Sequence, residues 1–108
     1  MVRRWTTDPA GFLLCSFWLV DCLTHAGRLD EAEAMLRRIL GLANDVGLFA
    51  EEVDPGSGEP LGNFPQAFSH MALVLACANL SAAKRHGVPE GPVDYAEVAL
   101  DRLLASRR

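Results

Sequence analysis

Apolar positions recur at the helical period in four stretches of the chain, and two of those stretches differ in kind from the other two. Residues 12–23, FLLCSFWLVDCL, are apolar nearly all round. They predict a first helix over about Gly11–Ala26, stopped by Gly27. Leu29, Ala32, Leu36, Ile39, Leu40 and Ala43 recur every three or four residues, while Glu31, Glu33, Arg37 and Arg38 face away. That pattern predicts an amphipathic surface helix over about Leu29–Asp45. A third helix is expected from near Phe64, with Asn63 and Gln66 resembling a capping box and Pro65 in the first turn. It continues through MALVLACANL, apolar on most sides, to His86–Gly87. Pro89 and Pro92 then bracket a turn. A fourth, amphipathic helix is expected over about Val93–Ala105, burying Ala96, Val98 or Ala99, Leu103 and Leu104. The expectation is an all-α protein.

A helix that is apolar on every side normally sits inside a larger core. In a bundle of four helices, some of Phe12, Leu13, Phe17, Trp18, Leu73 and Leu75 would face water. Leaving four such side chains exposed forfeits about 6–12 kcal/mol at 1.5–3 each. A whole domain is stable by only about 5–15 kcal/mol. The chain therefore reads as unfinished. Its connections alternate as well: the turn His25–Arg28 is tight, whereas Val46–Asn63 far exceeds the roughly 2–8 residues that usually join two packed helices. Inner and outer helices joined by tight turns at one end and long loops at the other describe an α/α toroid. Such a scaffold carries its chemistry among the long loops.

Composition narrows the function. The chain has 108 residues, is 50% apolar and carries a formal charge of −4, which suits one globular domain and argues against disorder. A mildly acidic surface offers no footprint for nucleic acid, and Arg3–Arg4 and Arg107–Arg108 read as solvated termini. The apolar run Phe12–Val20 is shorter than the roughly 20 residues a bilayer span needs. No small-residue cleavage site follows it, so neither a membrane span nor a signal peptide is expected, and a cytoplasmic location is. Three cysteines, Cys15, Cys22 and Cys77, form no even disulfide set and read as buried free thiols. Cys22 and His25 could both touch a metal, but no second pair completes a site. Asp54, Ser57 and Glu59 lack the spacing of a calcium loop, and Asp-Pro-Gly-Ser-Gly reads better as a tight turn. No metal or cofactor is expected.

Three segments carry a family resemblance: CSFWL (15–19), NDVGLFAEEVDP (44–55) and GNFPQAFSH (62–70). Together they resemble the C-terminal part of bacterial glycoside hydrolase family 15 proteins, the glucoamylase-like and trehalase group, over about residues 11–80. Residues 1–10 are irregular and out of register with the family, and 11–108 is expected to be the C-terminal part of a catalytic domain. The resemblance implies an (α/α)6 barrel, here incomplete, and hydrolysis of α-glucosidic bonds with inversion, as in a glucan 1,4-alpha-glucosidase or an alpha,alpha-trehalase. It implies an α-glucoside substrate, a maltooligosaccharide or trehalose, for the complete protein. In the family the base is the glutamate of a loop motif whose next residue is Gln or Glu, with Asp two positions further on. Here that reads Ala50-Glu51-Glu52-Val53-Asp54, so the resemblance makes Glu51 the general base and puts Glu52 in the neighbouring position.

Inversion needs a second carboxyl group, an acid that protonates the leaving oxygen. In the family it lies several helices upstream, and no residue here matches it. The isolated chain is therefore expected to be catalytically inert and poorly folded. Read from the residues alone, Glu51 and Glu52 are more simply a solvated acidic loop, and the surrounding motif reverses that balance. His70 is either a hydrogen-bonder that holds the loop or a satisfied core histidine. Trp18 is a sugar-stacking candidate, with packing on an apolar helix the plainer role. A competing class is a helical-repeat scaffold, because AGRLDEAEAMLRRIL looks like half of a tetratricopeptide unit. No repeat of that period recurs, and GNFPQAFSH has no place in one.

Overall fold

A computed structural model describes residues 1–3, 8–88 and 104–105. Its three helices are α1 (Leu13–His25), α2 (Leu29–Leu40) and α3 (Ala67–His86). Around them runs a three-stranded sheet of two-residue strands, β1 (Gly11–Phe12), β2 (Glu52–Val53) and β3 (Pro60–Leu61). Both pairings are antiparallel, with Gly11 opposite Val53 and Glu52 opposite Leu61. The fold is helical as expected; the small sheet is an addition that helix periodicity does not reveal. The expected fourth helix lies almost wholly outside the described residues. Among them, no helix is long and apolar enough to cross a membrane.

Helix α1 is the hub, packed against both α2 and α3. It buries Leu13, Ser16, Phe17, Val20 and Thr24, a stripe at three- and four-residue spacing. The two buried hydroxyls are satisfied within the helix: Ser16 Oγ donates to the Phe12 carbonyl at 2.8 Å and Thr24 Oγ1 to that of Val20 at 2.9 Å. Such back-bonding makes a hydroxyl tolerable in a core. The helix ends where Gly27 takes a φ of +76°. The Gly27 and Arg28 N–H groups donate to Thr24 and Leu23 carbonyls, the paired closure of a Schellman turn.

Helix α2 buries Ala32, Leu36 and Ile39, with Asp30 and Glu31 in its first turn and Arg37 and Arg38 in its last, matching the helix dipole. It stops at Leu40, five residues short of the expected Asp45. The side chain of Asn44 explains the early end: its Oδ1 accepts from the Val46 and Leu48 N–H groups at 3.1 and 2.7 Å. The local turn that Asn favours thus replaces a further helical turn.

Helix α3 presents Ser69, Ala72, Ala76, Leu80 and Ala83 inward; mostly small, they let it lie close on α1. Asn79 Nδ2 donates to Asp21 Oδ1 at 2.7 Å, joining α3 to α1, and Lys84 pairs with Glu33 of α2. The helix begins at Ala67 rather than Phe64, and no side chain caps its N-terminus. Asn63 does not form the expected capping box, because both its backbone polar groups are engaged with Glu51. The core joins Leu13, Phe17 and Val20 of α1 to Leu36, Ile39, Phe49, Val53, Ala72 and Leu80. At its centre the rings of Phe17 and Phe49 meet edge to face, 5.6 Å apart at 84°, an arrangement that adds about 0.5–1.5 kcal/mol to the burial itself.

Of the side chains expected to face water, Leu13 and Phe17 are fully buried, whereas Trp18 and Leu75 are exposed. The expectation of three buried thiols fails in part: Cys22 is exposed and Cys15 and Cys77 are half-buried, with burial pushing the Cys77 thiol up.

Candidate functional site: the Glu51 loop

The segment between α2 and β2 is buried at Phe49 and Ala50, so its backbone polar groups need partners. Helix α3 and the residue just before it supply them. The Gln66 N–H donates to the Phe49 carbonyl at 3.0 Å. The Phe49 N–H donates to His70 Nε2 at 3.2 Å. Ser69 Oγ donates to the Ala50 carbonyl at 2.8 Å. With Nε2 accepting, His70 carries its proton on Nδ1, which donates to the Gln66 carbonyl at 2.6 Å; each nitrogen has one task, and that fixes the tautomer. The His70 ring also meets the Phe49 ring edge to face at 5.8 Å. Of the two roles left open for His70, the geometry is that of a loop-holding hydrogen-bonder.

Glu51 follows directly. Its carbonyl accepts from the Leu13 N–H at 3.1 Å and its N–H donates to the Asn63 carbonyl at 2.8 Å. Its carboxylate Oε2 accepts from the Asn63 N–H at 3.1 Å. The main chain of Glu51 is thus tied to the start of α1 on one side and to the segment before α3 on the other. Glu52 lies within the sheet, paired with Phe12 and Leu61. Beyond it Asp54 closes the hairpin turn: its Oδ1 accepts from the Gly56 and Ser57 N–H groups at 2.8 and 2.7 Å and from Ser57 Oγ at 3.1 Å. Those donors hold the Asp54 carboxyl below its usual range, the Ser57 N–H most. The tight turn expected of Asp-Pro-Gly-Ser-Gly is present.

Trp18 is elsewhere. It stands 51% exposed on α1 and lines an open apolar groove of about 910 Å³ with Leu14, Phe68, Met71, Val74 and Leu75. It is not a core residue of the described structure, because the core stripe of α1 passes through its neighbour Phe17. His70 borders the groove, but Glu51 and Glu52 do not. The structure therefore joins Glu51 and His70 through Phe49 and leaves Trp18 apart. Among the described residues, no three His, Cys, Asp or Glu side chains gather to hold a metal ion.

Sequence reasoning missed Ser69, Gly62 and the part Asn63 plays. The available signal was the pair Ser69-His70, polar residues opening an otherwise apolar helix, and a glycine just before Asn63.

Comparison with known proteins bears on this loop. The chain is 41% identical over 84 residues to a trehalase of Mycolicibacterium smegmatis, covering 78% of this chain and 13% of that protein. It is 42% identical over 84 residues to a trehalase of Mycobacterium tuberculosis, covering 78% of this chain and 12% of that one. A trehalase of Thermoplasma volcanium is 41% identical over 76 residues, 70% of this chain and 12% of that protein. The chain therefore spans about one-eighth of the length of these relatives. No solved structure matches it. The model of the family described as Glycosyl hydrolases family 15 matches residues 2–78, which take in the loop, the sheet and all three helices up to Cys77 and Ala78. On that match the chain belongs to glycosyl hydrolase family 15.

Proposed function

We propose that this chain is part of an inverting α-glucoside hydrolase of trehalase type, with Glu51 as its general base and trehalose as the substrate of the whole protein. The observation that carries the reading is the fixing of Glu51, whose main chain and carboxylate are both held by neighbours on separate elements. The names of the relatives favour trehalose over a maltooligosaccharide.

In this reaction the Glu51 carboxylate takes a proton from water. The water oxygen adds to the anomeric carbon from the face opposite the leaving group. The glycosidic carbon–oxygen bond breaks, and an acid outside this chain protonates the departing oxygen. Base and acid stand roughly 6.5–9.5 Å apart in inverting enzymes so that the water fits between them. His70 acts at one remove, by holding Phe49 and with it the approach to Glu51. With one carboxyl group of the pair, the isolated chain performs no acid-assisted hydrolysis.

The test is a chimera in which the matching segment of the M. smegmatis trehalase is replaced by this chain's sequence. It should release glucose from trehalose faster than from maltose, the 108-residue chain alone should release none, and Glu51→Gln in the chimera should lower kcat about 10²–10⁴-fold. Undiminished turnover in Glu51→Gln would remove Glu51 from the mechanism.

A further inference from the structure

A general base works through its carboxylate, and in Glu51 that group is held separately from the main chain. Asn63 grips Glu51 twice, its carbonyl taking the Glu51 N–H and its N–H reaching Oε2. The carboxylate comes to that amide by passing over Gly62. A Cβ at Gly62 would lie 2.8 Å from Glu51 Oε2, 3.2 Å from Glu51 Cβ and 3.4 Å from Cδ. The conflict runs along the whole side chain, so turning the terminal carboxylate alone does not relieve it. Gly62 also has a φ of +71°, in the left-handed region that glycine enters without steric cost.

We infer that Gly62 and Asn63 are positioning residues for the reaction: the bare glycine gives the Glu51 side chain room, and the Asn63 amide fixes the carboxylate by one oxygen. A base that must meet a water while that water attacks carbon gains from being held in one orientation. The inference rests on the reading of Glu51 as the base.

Gly58 provides a control within the same hairpin. Its φ is +76°, and a Cβ there would meet a Leu42 methyl at 3.5 Å, an ordinary contact. Alanine strains the backbone alike at both glycines, but only at Gly62 does it press on the carboxylate.

The experiment follows the Asn63 amide proton by NMR in the ¹⁵N-labelled 108-residue chain. A hydrogen bond to a carboxylate deshields that proton. It should move upfield in Glu51→Gln and in Gly62→Ala and keep its place in Gly58→Ala. Glu51→Gln leaves Gly62 untouched, so it decides the matter should Gly62→Ala fail to fold. An Asn63 proton that Glu51→Gln does not move, or that Gly58→Ala moves as far as Gly62→Ala, overturns the inference.

In the trehalase chimera, Gly62→Ala should lower kcat about a hundredfold with KM unchanged, the scale of loss that a misplacement of about 1 Å brings; Gly58→Ala should change neither. Full turnover in Gly62→Ala, with turnover lost in Glu51→Gln, overturns the positioning role and keeps the base. Full turnover in Glu51→Gln overturns the base itself, whatever the Asn63 proton does.

Discussion

Two sides of helix α1 meet different fates. On one, Leu13, Phe17 and Val20 close against Phe49 and Val53, within the segment that carries Glu51. On the other, Leu14 and Trp18 border a groove with Phe68, Met71, Val74 and Leu75, and Phe68, Met71 and Val74 are each at least 60% exposed. Around the loop, the buried main chain of Phe49 and Ala50 is hydrogen-bonded to α3. The groove has only apolar contact to offer. The difference teaches that the chain supports the Glu51 loop from its own residues and, among the described residues, leaves one helical face uncovered.

Neighbouring residues on α1 give the sharpest test of that contrast. Phe17→Ala opens a cavity at the centre of the core and should cost about 3–5 kcal/mol, read as a fall in the urea midpoint. Trp18→Ala, one position on, should change stability by no more than about 0.5 kcal/mol. It should also reduce concentration-dependent self-association in sedimentation runs, because it removes a large exposed ring from the groove. Equal destabilisation by the two would erase the distinction between the faces.

A smaller effect is expected where the loop meets α3. His70→Ala removes the acceptor of the buried Phe49 N–H and should cost about 1–3 kcal/mol, the scale for leaving a buried donor unsatisfied. Hydrogen exchange should rise first at Phe49 and Ala50 while the α1–α2 pairing keeps its protection. A uniform rise across all three helices would show that His70 supports the whole core rather than the loop.

What the sequence made legible followed from range. Helices α1 and α3 announce themselves by apolar content, α2 by its alternation of faces, and Gly27 by its place after the last apolar turn. Each signal lies within a few residues of what it determines. The strands Gly11–Phe12, Glu52–Val53 and Pro60–Leu61 are too short to show a two-residue period, and their partners lie across the chain. Asn63 misled for a related reason. Locally it suits a helix cap, but Glu51, 12 residues away, holds the groups a cap would use, so α3 starts later. The proposal for Glu51 rests on its family motif, since two adjacent carboxylates on a loop describe many solvated turns as well.

The smallest expected effect lies at the hairpin tip and depends on acid. Asp54 has its carboxyl held below the ordinary aspartate range by the Ser57 and Gly56 N–H groups and the Ser57 hydroxyl. Because the folded value is the lower one, the ionised carboxylate stabilises the turn fully above about pH 4, near the unfolded value. That contribution is lost as pH falls from there through the folded value. The Gly56 and Ser57 amide protons should therefore move upfield on acidification below pH 4, with the Phe49 and Ala50 amides unmoved over the same range. Asp54→Ala should abolish the response at the tip. The tip stands in water and the loop in the core, so acid should loosen the hairpin's end before it reaches the support of Glu51; simultaneous movement at both places would make hairpin and loop one cooperative unit.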